Sequence, residues 1–97
     1  MRLLGPEEFQ PWVGRKVRVN TVPEPTEVTL DRIELSPRLG AGLDFRQPFS
    51  LFFSSPLKVY LLDMGYEFDC GRGGPHTIVI SQLPPLPNMR IYQASFN

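Results

Sequence analysis

The stretch Phe49-Ser50-Leu51-Phe52-Phe53, closed by Ser54-Ser55-Pro56, constrains the fold more than any other part of the chain. Phe49, Leu51 and Phe53 recur with a period of two and so share one face of an extended strand, each contributing roughly 1.5–3 kcal/mol on full burial. Ser50 and Phe52 face the other way. Phe52 is the one aromatic on that opposite parity. Covered by an N-terminal helix around Trp12, it would make the strand two-sided; left bare, it would mark a contact surface.

The segments around this strand carry the same signature. Lys16-Val17-Arg18-Val19-Asn20 alternates charged and apolar residues, as a half-exposed strand does, and a proline-punctuated turn at 21–25 leads into a second strand at 26–35, predicting a hairpin. Within 26–35 the phase changes: Val28 and Leu30 have one parity, Ile33 and Leu35 the other. One extra residue near Asp31 or Arg32 puts both pairs on one face, which is what a β-bulge does. Residues 36–47 form a long connection, tethered by Leu39, Leu43 and Phe45. After Pro56, residues 57–62 read as an edge strand or extended loop. Tyr66, Phe68 and Cys70 then share a face, the Gly71-to-Pro75 turn follows, and the β-branched run at 76–82 completes a second hairpin. Tyr92, Ala94 and Phe96 line one face of the last strand.

At the start, Pro6 suits a first helical position, and Glu7 and Glu8 suit the first turn, where the helix dipole favours negative charge. Pro11 and Gly14 limit the helix to one or two turns over 6–13, with Leu3, Phe9, Trp12 and Val13 closing one end of the sheet. The 11 prolines and 8 glycines punctuate the apolar segments rather than interrupt them. The expected fold is therefore all-β, a small antiparallel barrel or roll of about six strands with one short N-terminal helix, in a single domain over residues 1–97.

Charge and cysteine content narrow the function classes. Ten Lys and Arg balance ten Asp and Glu, so the electrostatic term that dominates nucleic-acid affinity is missing, as is a polybasic membrane patch. Lys16, Arg18, Arg32 and Lys58 offer some positive charge, but Glu27, Asp31 and Glu34 lie beside it, against single-strand stacking. Met1-Arg2-Leu3-Leu4 is too short an apolar run for a signal peptide, and no run is long enough to span a bilayer. One cysteine allows no internal disulfide. The expected location is the cytoplasm, or a virion-like particle reached without a signal peptide.

Cys70 and His76 flank the glycine-rich turn, and a thiol beside an imidazole is the start of a nucleophilic dyad. No third, orienting group accompanies them, and a buried thiol with a strand-end histidine is the simpler account. Adding Asp69 gives three metal ligands at most, two of them on opposite strand faces, so no metal is expected. No cofactor is expected either. Gly71-Arg72-Gly73-Gly74 lacks the strand-to-helix setting of a phosphate loop, and Leu83-Pro84-Pro85-Leu86-Pro87 reads as a stiff connection rather than a polyproline ligand.

Three features recur together: Phe49-Ser50-Leu51-Phe52-Phe53, the Gly65-Tyr66 turn after Leu62-Asp63-Met64, and the ending Tyr92-Gln93-Ala94-Ser95-Phe96-Asn97. With Phe9 and Gly14 near the first strand, the chain resembles a family of small bacterial and phage-associated domains of unknown function. The resemblance implies a stand-alone domain without an enzymatic activity, kept in company with phage-tail-like structures. The leading expectation is a non-enzymatic interaction or structural domain that binds a protein partner or itself. Its candidate contact surface is Phe52, Tyr60 and Leu62, which face outward if Phe49, Leu51, Phe53, Val59 and Leu61 face inward. The alternatives are a small-ligand barrel with aromatics lining a cavity and a hydrolase using Cys70 and His76.

Overall fold

The computed structural model describes residues 5–35, 48–71 and 73–96. Leu3, the 36–47 connection with its tethers Leu39, Leu43 and Phe45, and Arg72 lie outside the described residues. Two consecutive 3-10 turns, Pro6–Glu8 and Gln10–Trp12, precede seven strands: β1 Lys16–Val19, β2 Thr26–Leu35, β3 Phe49–Pro56, β4 Gly65–Asp69, β5 His76–Val79, β6 Ser81–Gln82 and β7 Met89–Phe96. Pro6 takes the first helical position and Glu7 and Glu8 the first turn. Pro11 has no N–H to continue a helical ladder, which keeps the helix to these two short turns.

In β1, Val17 and Val19 are buried between exposed Lys16 and Arg18, and Val17 pairs with Val28 across the expected hairpin. The expected bulge is also present. Leu30 pairs with Phe53 and Arg32 with Phe52, leaving Asp31 as the extra residue. Leu30 and Ile33 thus both reach the core despite their different parity, and β2 bends, as bulged strands do. Leu35 keeps the inward register opposite Phe49 but is 61% exposed.

The strand order is β5-β4-β1-β2-β3-β7-β6. β5 and β6 are separated by Ile80 alone, yet β5 pairs with β4 and β6 pairs with β7. A single bent stretch therefore joins the two margins of the sheet into a nearly closed barrel, and the seven elements behave as the expected six-stranded one. Ile80 is buried at the bend, and its N–H donates to the Met64 carbonyl at 3.1 Å.

Register assigns the two ends. Phe49, Phe96 and His76 lie at one, and Pro56, Met89, Gly65 and Val19 at the other. The 3-10 turns close the first end: Phe9 meets Trp12 edge-on at 5.2 Å, and the Phe49 and Phe96 rings stack at 4.6 Å. Residues 57–62 close the second without joining a strand. Leu61 is buried there, and the Tyr92 hydroxyl accepts from the Leu61 N–H at 3.3 Å, donates to the Val59 carbonyl at 3.3 Å and lies 3.3 Å from Ser55 Oγ.

Removing that hydroxyl leaves a buried N–H and a carbonyl unpaired at once. Tyr92→Phe is expected to lower the unfolding free energy by about 1–3 kcal/mol, measured by urea denaturation, with faster amide exchange at Leu61. An unchanged midpoint would show that the second end does not depend on Tyr92. At the other end, Gly74 has φ +107 and an added Cβ would sit 3.3 Å from Trp12 Cζ2. Gly74→Ala is expected to cost more than about 1 kcal/mol, read from the same titration together with Trp12 fluorescence.

Candidate functional site

At the second end, the β1–β2 turn and residues 60–67 border a groove of about 510 Å³. Its lining includes Val22, Tyr60, Leu62 and Met64, which are 93%, 59%, 59% and 48% exposed. The extended backbone sends Leu61 into the core and its neighbours Tyr60 and Leu62 outward, as period-two geometry requires.

The backbone carrying these side chains is fastened from below. Besides the Tyr92 contacts, the Leu62 N–H donates to the Tyr66 hydroxyl at 3.0 Å, and the Gln82 N–H donates to Asp63 Oδ1 at 2.9 Å. Arg90 Nε donates to the Leu57 carbonyl at 2.9 Å, and its guanidinium lies 4.7 Å from the Tyr60 ring centroid. Across the groove, Asn20 Nδ2 donates to Glu67 Oε1 at 2.5 Å and the Asn20 N–H to the Glu67 carbonyl at 2.9 Å. Thr21 Oγ1 donates to the Glu24 carbonyl at 2.6 Å and steadies the turn that bears Val22. The exposed side chains thus project from a pre-organised rim, which lowers the ordering cost of any docking.

Of the three residues expected to form a contact surface, the structure brings Tyr60 and Leu62 together and separates Phe52 from them. Phe52 does lie on the outer face of β3, but it is 8% exposed. Neither expectation for it holds as drawn, because Trp12 belongs to the inner cluster while the Arg32 guanidinium lies 4.1 Å over the Phe52 ring. Arg32 is the cross-strand partner of Phe52 and is held by Glu34 at 2.6 Å. Val22 and Met64 were missed by sequence reasoning. Their signal was an apolar residue standing in a turn, at 21–25 and beside Gly65, where no strand face claims it.

Cys70 and His76 emerge from adjoining strands without a hydrogen bond between them. The thiol donates weakly to the Lys16 carbonyl at 3.6 Å. The imidazole stacks on Trp12 at 5.7 Å and meets Phe9 at 5.5 Å, with Nε2 buried and unpartnered. In the glycine-rich turn, the Gly71 N–H donates to Asp69 Oδ1 at 2.8 Å, so a carboxylate takes one of the donors an anion nest would use. Among the described residues, no group of three His, Cys, Asp or Glu could hold a metal ion, and no helix is long and apolar enough to cross a membrane.

Two further clefts lie beside β1, the first mainly apolar in its lining and the second mixed. Pairing between β2 and β3 begins at Thr29 and Ser54, and the wedge before it, about 380 Å³, is lined by Lys16, Glu27, Ser55, Asn88 and Met89 among others. An adjoining cleft of about 330 Å³ holds Arg18 and Asp69, an exposed ion pair at 3.4 Å. Aromatics line neither one. The rings that a ligand barrel would need around a cavity, Phe9, Trp12, Phe49, Phe53, Phe68 and Tyr92, are fully buried, with Phe53 and Phe68 in contact at 5.0 Å.

Residues 4–96 match the family described as Domain of unknown function (DUF6916). The chain belongs to this family. No curated protein and no solved structure matches it. In this DUF6916 domain, Arg32→Ala is expected to uncover Phe52. The expected outcome is a loss of about 0.5–1 kcal/mol in stability and a rise in fluorescence of a hydrophobic dye. Dye binding equal to wild type would mean that Arg32 does not shield the ring.

Proposed function

We propose that this domain works through protein contact rather than through chemistry of its own, and that the groove bordered by residues 20–22 and 60–67 is its docking surface. The carrying observation is that four large apolar side chains, Val22, Tyr60, Leu62 and Met64, stand at least 48% exposed around one groove. Apolar patches that extend over a few hundred Å² with a polar border mark interaction sites on soluble proteins. Tyr60 and Arg90, stacked on one another, are residue types that dominate binding energy at protein interfaces.

The lack of a hydrogen bond between Cys70 and His76 favours this reading over a hydrolase. The resemblance to phage-associated domains favours a finer version, in which the domain is an accessory of a phage-tail-like assembly in a bacterial cell. Its partner would then be a structural protein, and its place the cytoplasm or the assembled particle.

The test is site-specific photo-crosslinking in the native host. A photoreactive phenylalanine at position 62 is expected to form a discrete protein adduct. The same group at Ser95, exposed and toward the opposite end of β7 from Arg90, is expected to form none. Val22→Glu, an exposed change that costs the fold no more than about 0.5 kcal/mol, should lower the position-62 adduct at least tenfold. Equal adducts from both positions, or none from position 62, would overturn the reading.

A further inference from the structure

The sheet splits between β2 and β3 toward the second end of the barrel. Their ladder stops at Thr29 and Ser54, yet neither strand stops there. β2 runs on to Thr26, still paired with Val19 of β1, and β3 runs on to Pro56, still paired with Met89 of β7. Two residues past the last pair, the register would set Glu27 opposite Pro56, which has no N–H to give. The Pro56 carbonyl already accepts from the Val59 N–H at 3.0 Å. The two strands part here around the cleft of about 380 Å³.

Each wall of this cleft is held from behind by a neighbouring strand. Val28 and Ser55, both in its lining, are buried, and Ser55 Oγ lies 3.3 Å from the Tyr92 hydroxyl. A cleft fixed in this way loses little freedom when it is filled. Its size falls within the roughly 300–1,000 Å³ of small-molecule sites, and a mainly apolar lining with a few polar groups is their common composition.

The charges at the cleft narrow the class of ligand. Lys16 and Glu27 both line it, on neighbouring strands and out of register, since Lys16 stands opposite Thr29. Among the described residues, neither side chain has an ion-pair or hydrogen-bond partner. Arg18, directly across from Glu27, is engaged with Asp69 instead. One cation and one anion thus stand unpaired beside the apolar surface of Val28, Pro56 and Met89. The molecule that satisfies all three carries a carboxylate and an ammonium close together on an apolar body. The Thr29 hydroxyl and the Asn88 carboxamide, at the same cleft, add neutral donors and acceptors for its polar end, and the flexible Met89 thioether adapts to the shape of its apolar end.

We infer that the cleft between β2 and β3 binds a free α-amino acid with an apolar side chain, its carboxylate on Lys16, its ammonium on Glu27 and its side chain against Val28, Pro56 and Met89. This site shares no lining residue with the groove at 20–22 and 60–67, so it goes beyond the docking reading and does not depend on it.

An amide NMR titration of the full chain with L-leucine and L-methionine, up to about 10 mM, tests the inference. Saturable shifts are expected at residues 27–29, 54–55 and 88–89, with none at 60–67. Isocaproate lacks the ammonium, isoamylamine the carboxylate and glycine the apolar body; each is expected to bind at least tenfold more weakly than L-leucine. Lys16 and Glu27 are exposed, so Lys16→Gln and Glu27→Gln should leave the circular dichroism unchanged. Lys16→Gln should reduce L-leucine to the level of isoamylamine, and Glu27→Gln to that of isocaproate.

The lack of a saturable shift at the cleft with either amino acid would overturn the inference. So would glycine binding as tightly as L-leucine, or an L-leucine affinity that neither substitution changes.

Discussion

Closure of the barrel hangs on the bend at Ile80. The run from His76 to Gln82 pairs with β4 before the bend and with β7 after it, so one stretch of chain satisfies both margins of what would otherwise be an open sheet. Open margins present rows of unpaired N–H and C=O groups that recruit other strands. Ile80 holds the bend in two ways: its side chain is buried in the core, and its N–H reaches the Met64 carbonyl. Without that closure, Ile78 and Ile80 would lose the interior they pack into.

The exposed groove is a consequence of the same closure. The chain must travel from the end of β3 to the start of β4, and the strand positions between them are already filled. Residues 57–62 therefore cross the end of the barrel outside any strand. Side chains meet several of their backbone polar groups, from Tyr92, Tyr66 and Arg90. Leu61 plugs the interior, and the alternation then leaves Tyr60 and Leu62 no choice but to face out.

Much of this was legible locally. Alternation in 16–20, the phase change that called for a bulge near Asp31 or Arg32, and the two hairpins all follow from patterns a few residues long, because strand geometry ties parity to face. The outward direction of Tyr60 and Leu62 was legible for the same reason. Phe52 was not: its parity was right, but parity says nothing of what the neighbouring strand lays over a face, and here β2 supplies Arg32. Val22 and Met64 were hidden because they occupy turns, which carry no periodicity, and meet Tyr60 and Leu62 only when both turns fall at one end of the barrel.

By itself, then, the order of residues determined the strands, their inner faces and the short proline-limited helix, since each depends on neighbours along the chain. Only the tertiary structure decided that β5 and β6 are one closing strand, that Cys70 and His76 form no hydrogen bond to each other, that the rings of Phe9, Trp12, Phe49, Phe53, Phe68 and Tyr92 fill the interior, and that four apolar side chains from separate segments share one groove. Those outcomes depend on pairing between residues far apart in sequence, and the energy that selects among pairings comes from burying the whole core at once.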